Sequence, residues 1–411
     1  MIQTNITSLI QYRTNQMFSL NLLKILAMLS ISMSHYGILI GQNDRQSIIN
    51  SNFMIIMINS LYAVDIFFLI SGFILGKKLV TNPNLLLSPI QSMLMIFDRI
   101  MRMYPLYWIL LIIYIILPKL FANVGYTENC MDNIVYVSTL TYNIFNKFGC
   151  FEWSWYIAVE IQTLILLCLS IPTIHFIRSF FLKSKDLSNT NKNSIKDLSN
   201  YVLILIITVL LYSMVVCIQN NYKISFYAMT DKQFYYNFYQ KPQYKMSSYL
   251  IGLLTGLKYK RQCFANTSYK IVAIFAFFFS FLGWILIKEY QLYVADLIQN
   301  IYQSISRPIL CFGIIFSGIL DMKSTKIIEQ LFQVFSKLLF SIYLSHYFLY
   351  QIMISQNFIQ FGLVSNFIVY TLIIYVISSL LHVFVEQNLN SLINNFKAKV
   401  QALKEEKKQK K

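Results

Sequence analysis

The 411-residue chain reads as an all-α polytopic membrane protein with about ten transmembrane helices and both termini cytoplasmic. Three observations predict this. The composition is 56% hydrophobic and 12% charged, with a mean hydropathy of +0.54, which is more apolar surface than a soluble core hides. Apolar runs long enough to cross about 30 Å of hydrocarbon recur along the chain. Lysine and arginine crowd alternate connections, as at Lys77, Lys78, Arg99 and Arg102, whereas Arg45, Lys119 and Lys147 are sparse between them. Short loops rich in lysine and arginine stay in the cytoplasm.

In order, the runs lie near residues 19–40, 53–76, 104–122, 154–177, 201–219, 244–258, 270–288, 305–320, 333–355 and 364–386. The first, SLNLLKILAMLSISMSHYGILI, follows a polar stretch with no small-residue cleavage site and is expected to remain as an anchor. The sixth is short for a span. No intervening stretch is long and polar enough for a separate soluble domain. The expected division is a short cytoplasmic N-terminus (1–18), a transmembrane domain (19–388) and a basic cytoplasmic tail (389–411), with 181–200 a mobile polar loop. A net charge of +17 then reports topology and contacts with anionic membrane lipid, and nucleic acid is not expected as a partner. The six cysteines form no CxxC pair and no His/Cys metal spacing, so no metal is expected. The proposed orientation places 121–153 outside or in a lumen, where thiols oxidise. Cys130 and Cys150 are the two cysteines there, and a disulfide closing the loop is expected, two free thiols being the alternative.

Ionisable residues within spans are the candidate site. Lys24 and His35 lie on one helical stripe, roughly three turns or about 16 Å apart. Such groups face a bundle interior, either as a site or as a snorkelling lysine and an interhelical hydrogen bond. A neutral imidazole takes a proton from an attacking hydroxyl, or accepts an acyl group itself, and His35 is the candidate for either role. Asp65 needs a partner, Lys24 or an arginine. Arg99 and Arg102 share a helix face, where guanidinium forks suit phosphates, either those of a bound ligand or those of lipid headgroups. Pro105 is expected early in its helix. Gly72 and Gly76 allow close approach of another backbone or of a thin ligand chain. Glu160, in a block rich in Trp and Tyr, could polarise His35, bind an acceptor hydroxyl or bond a neighbouring helix. His346, and His382 with Glu386, are further candidates.

Several blocks occur in a recognisable order. LYAVDIFFLISGFILG (61–76) carries Val-Asp-x-Phe-Phe and Ser-Gly-x-x-x-Gly through Ser71, Gly72 and Gly76. DRIMRMYPLYW (98–108) carries Arg-x-x-Arg and then Pro105. FEWSWYIAVEIQ (151–162) leads from Trp153, Trp155 and Tyr156 to Glu160, and SIYLSHYFL (341–349) carries Tyr-Leu-x-His. Together with the basic residue and histidine of the first span, they resemble the acyltransferase-3 family of integral membrane acyltransferases. The family has arginine where this chain has Lys24. Trp153, Trp155, Tyr156 and Ala158 after Cys150, with Tyr239 to Pro242 and Tyr249 to Gly252, further resemble the eukaryotic branch called nose resistant to fluoxetine.

The resemblance implies an O-acyltransferase that moves an acyl group from cytoplasmic acyl-CoA to a hydroxyl of a lipid, sterol or glycan acceptor. His35, Glu160 and Asp65 would be catalytic. Lys24, Arg99, Arg102, Ser71, Gly72 and Gly76 would bind acyl-CoA, a co-substrate and not a permanently bound cofactor. Trp153, Trp155, Tyr156 and His346 would form an acceptor site. The location implied is the endoplasmic reticulum or plasma membrane. The alternative is a transporter of lipids or small hydrophobes without transferase activity.

Overall fold

The computed structural model describes residues 7, 9, 11, 17–43, 63–82, 84–121, 130–181, 190–222, 232–259, 267–289, 296–358 and 361–409. Residues 53–62 of the second expected span, 182–189 of the expected polar loop and Cys263 lie outside them. Among the described residues the regular structure is helical, with no strand. The longer helices are α1 (Phe18–Asn43), α2 (Ala63–Thr81), α3 (Pro89–Ile116), α4 (Trp155–Phe181), α5 (Thr190–Gln219) and α6 (Pro242–Lys258). They continue with α7 (Thr267–Glu289), α8 (Asp296–Phe316), α9 (Lys326–Ser355), α10 (Leu363–Leu381) and α11 (Gln387–Gln409).

Six segments among the described residues are long and apolar enough to cross a membrane. They are Phe18–Ile40, Pro89–Ile116, Glu152–Ile174, Ile195–Gln219, Lys326–Ser355 and Leu363–Phe396. Their outward faces carry large apolar side chains, among them Ile112, Ile204, Leu211, Leu372 and Val376, as a helix bathed in acyl chains requires. The protein is an integral membrane protein.

Three expected boundaries move. Helix α3 begins at Pro89, whose absent N–H suits a first turn, so Pro105 lies inside a 28-residue helix and not at its start. Residues 190–200, expected in a loop, are the first turns of α5. Leu198, Val202 and Ile206 recur every four residues and are buried, so an apolar face reaches further toward the N-terminus than the polar composition suggests. The tail begins as helix α11, joined to α10 by a π-helical turn, His382–Glu386.

Packing is closest between α2 and α6. Gly72 and Gly76 face Gly252 and Gly256 across this contact. A Cβ on Gly72 would lie 2.8 Å from the Leu253 amide nitrogen, and one on Gly256 3.0 Å from the Cα of Gly76. Two small-xxx-small stripes bring the backbones together, and the dispersion contact so gained replaces the hydrophobic drive that lipid cannot supply. Around this pair α1 packs on α9, α3 on α4, α5 on α6 and α8, and α7 on α8.

At one end of the bundle the buried cysteines Cys130 and Cys150 are joined as a disulfide, closing the loop between them. Lys241, just before α6, fastens the same loop by hydrogen bonds to the carbonyl of Ile144 (3.1 Å) and to Asn146 Oδ1 (2.7 Å).

Candidate active site

A cavity of about 590 Å³ opens where α1, α2, α3, α4, α9 and the head of α11 converge. Lys24 of α1, Ser71 of α2, Arg99 and Arg102 of α3, and Tyr156 and Glu160 of α4 all line it. Glu160 is buried and forms an ion pair with Arg99. Ser71 donates to the same carboxylate oxygen at 3.0 Å, and its hydroxyl lies 3.4 Å from that of Tyr156. Arg102 is turned outward, paired with Asp98 one turn earlier at 3.1 Å. Three cations against the carboxylates of Glu160 and Asp98 leave a net positive charge on the wall formed by α1, α3 and α4.

His35 does not line this cavity. It is buried one layer away, its Nδ1 2.7 Å from His346 Nε2, with the two rings stacked at 5.0 Å. His346 Nδ1 faces the carbonyls of Tyr343 (2.8 Å) and Ile342 (3.2 Å). Carbonyl oxygens only accept, so in the neutral pair Nδ1 of His346 carries its proton, and its Nε2 accepts from Nδ1–H of His35. This assignment leaves the lone pair of His35 on Nε2. Tyr343 belongs to both regions: its side chain lines the cavity, and its carbonyl holds the histidine pair. Its hydroxyl donates to the carbonyl of Trp153.

A family model described as an acyltransferase domain, that of acyltransferase-3, matches residues 17–383, from the first described helix to the π turn after α10. The chain belongs to the acyltransferase-3 family. No curated protein and no solved structure matches it. It is thus an integral membrane acyltransferase that transfers groups other than amino-acyl groups.

Several sequence-selected residues of this acyltransferase lie elsewhere than expected. Of the two partners expected for Asp65, an arginine is present and Lys24 is not. Lys245 of α6 binds Asp65 Oδ2 at 2.8 Å, Arg307 of α8 lies 3.7 Å away, and Ser248 donates to Oδ1 at 2.8 Å. Lys245 is further stacked over Tyr239 at 4.0 Å. This buried knot ties α2, α6 and α8 together, apart from the cavity, because ions withdrawn from water need charged and polar partners on several sides. Gly72 and Gly76 abut the α6 backbone, which fills the room that a pantetheine chain would have used. Glu160 contacts Arg99 and Ser71, not His35.

Of the aromatic block, Tyr156 faces the cavity. Trp155 packs on Tyr239 at 5.0 Å, and Trp153 stacks on Tyr347 at 4.6 Å while its Nε1–H donates to the Leu344 carbonyl. Ser336, Asn390 and Asn394 also line the cavity and carried no expectation from the sequence, whereas Tyr343 is the tyrosine of the Tyr-Leu-x-His block. The four-residue spacing from Glu386 to Asn390 to Asn394 was the one available sign of a shared helix face.

Proposed function

We propose that this acyltransferase takes an acyl group from cytoplasmic acyl-CoA, its co-substrate, and places it on a hydroxyl of a lipid, sterol or glycan acceptor. One observation carries the reading: Lys24, Arg99 and Arg102 converge on one cavity, and a wall residue of that cavity, Tyr343, holds the buried histidine pair through its carbonyl. Guanidinium forks and an ammonium suit the phosphates of the nucleotide end. Lys24 and His35 share α1 about 16 Å apart along its axis, leaving room for an extended pantetheine arm between phosphate and reacting carbon.

In the reaction the acceptor oxygen attacks the thioester carbonyl carbon while His35 Nε2 takes the hydroxyl proton. The C–S bond then breaks, the thiolate takes that proton back from the imidazolium, and an ester and free CoA result. The same Nε2 lone pair serves equally if His35 first accepts the acyl group and relays it to the acceptor.

In this reading α2, α6, α7 and α8 join the six long apolar segments to give ten spans within a 19–388 transmembrane domain. Both termini and the basic 389–411 tail are cytoplasmic, and the 130–150 loop is on the other face of an endoplasmic reticulum or plasma membrane. The test is acyl transfer by the purified protein in detergent, with labelled acyl-CoA donors of several chain lengths, a membrane lipid extract and mass spectrometry of the products. The wild type is expected to yield a labelled ester and His35→Ala none, at equal recovery of folded protein. Undiminished product from His35→Ala would remove the assignment of the reacting base.

A further inference from the structure

Part of the cavity wall lies beyond the stretch matched by the acyltransferase model. Glu386, Asn390 and Asn394 all line the cavity, whereas the match ends at residue 383. They are spaced four apart, so they share one helix face with a rise of about 6 Å per step. Exposure increases along the ladder. The Glu386 side chain is 13% exposed, Asn390 is half-buried and Asn394 is exposed, so the row runs from the interior to the mouth. The π turn His382–Glu386 adds a residue to one turn and shifts the phase of everything after it, which brings this face round to the cavity. Glu386 is held from behind, its Oε2 accepting from Ser341 Oγ at 2.6 Å and lying 2.8 Å from His382 Nδ1. The carboxamides of Asn390 and Asn394 make no hydrogen bond with another described residue.

We propose that this ladder reads the adenosine of the coenzyme A donor, a deepening that rests on the donor reading above. Helix α11 packs against α3, which carries Arg99 and Arg102, so the two kinds of wall adjoin. Charge divides them. Phosphates go to the cations of α1 and α3, while the carboxylate of Glu386 repels an anion and favours a neutral group on its own side. A carboxamide presents a donor beside an acceptor, the pattern that pairs with the N6 and N7 edge of adenine. A carboxylate accepts from an amine hydrogen of the adenine, while the ribose, which bears the 3′-phosphate of coenzyme A, belongs on the cationic side. Recognition of the adenosine is thus assigned to a segment outside the matched domain.

The test measures binding of two probes, CoA and 4′-phosphopantetheine, to the full chain in detergent. The variants are Asn394→Ala, at an exposed position that tolerates truncation, and the double variant Asn390→Ala/Asn394→Ala. The wild type is expected to bind CoA at least tenfold more tightly than 4′-phosphopantetheine. The single variant should narrow that ratio and the double variant narrow it further, down to the share owed to the two phosphates that 4′-phosphopantetheine lacks, with the affinity for 4′-phosphopantetheine unchanged. A ratio untouched in the double variant, equal weakening of both probes, or no wild-type preference overturns the proposal while leaving the donor reading in place. If neither probe binds the wild type, the donor reading falls and this proposal falls with it.

Discussion

His346 makes its contribution through one proton. Two backbone carbonyls fix that proton on Nδ1, which turns Nε2 toward His35 and sets the tautomer of the second ring. Such a positioning residue acts on the chemical step and not on donor affinity. In the proposed reaction His346→Ala therefore lowers kcat by about 10²–10⁴-fold, the range typical of lost general-base assistance, with the donor KM at its wild-type value. A parallel rise in KM would show that the substitution had disturbed the cavity instead. At this scale the sequence was informative where a residue announces its own difficulty. Lys24 and Glu160 stand out as charged groups in apolar surroundings, Arg99 and Arg102 as a guanidinium pair on one helix face, and Ser71 and Tyr156 through the family resemblance, and all share one cavity. An arginine beside Asp65 was expected, but that it is Arg307 with Lys245 closer still was not legible, because both arrive from helices far along the chain. Tyr343 was legible as the tyrosine of the Tyr-Leu-x-His block but not as a cavity wall, since one tyrosine among 29 carries no local mark of lining a cavity.

Among the elements, the α2–α6 contact has the least tolerance. No side chain fits between the two backbones at Gly72 or Gly252, whereas Gly362, at the start of α10, has nothing within 4 Å of its would-be Cβ. Gly72→Val is expected to abolish recovery of monodisperse protein in size-exclusion chromatography, with Gly362→Ala eluting as the wild type does. Normal elution of Gly72→Val would mean that the contact opens without penalty. The knot at Asp65 reinforces the same pair. Removing Lys245 would strand a buried carboxylate, an effect of about 3–5 kcal/mol. Helix identity was readable from apolar length, yet the bounds were not. Ser88 and Pro89 start α3 well before the most apolar stretch, and α5 hides an apolar face among the polar residues 190–200. The SGFILG glycines were legible as a close-approach surface, but what approaches them is a second glycine stripe nearly two hundred residues away.

For the whole molecule the open quantity is orientation. An N-glycan acceptor site inserted after Lys147, within the disulfide-closed loop, is expected to be modified in cells, and one fused beyond Lys411 is expected to remain bare. The reverse pattern would invert the proposed topology and place the cavity mouth on the wrong side for acyl-CoA. The all-helical, lipid-exposed architecture was legible from composition and run length, since both follow from the solvent. How the helices group was not, because lipid-facing and protein-facing apolar residues look alike in a list. That grouping determines where the molecule can give way. The glycine-locked α2–α6 unit has no slack, and α1 is joined to α9 through the paired imidazoles. The cavity takes walls from both units, Ser71 from one and Lys24 and Tyr343 from the other. Any breathing that lets a long tail slip from the mouth toward the buried rings must therefore occur along this seam, as two stiff jaws parting.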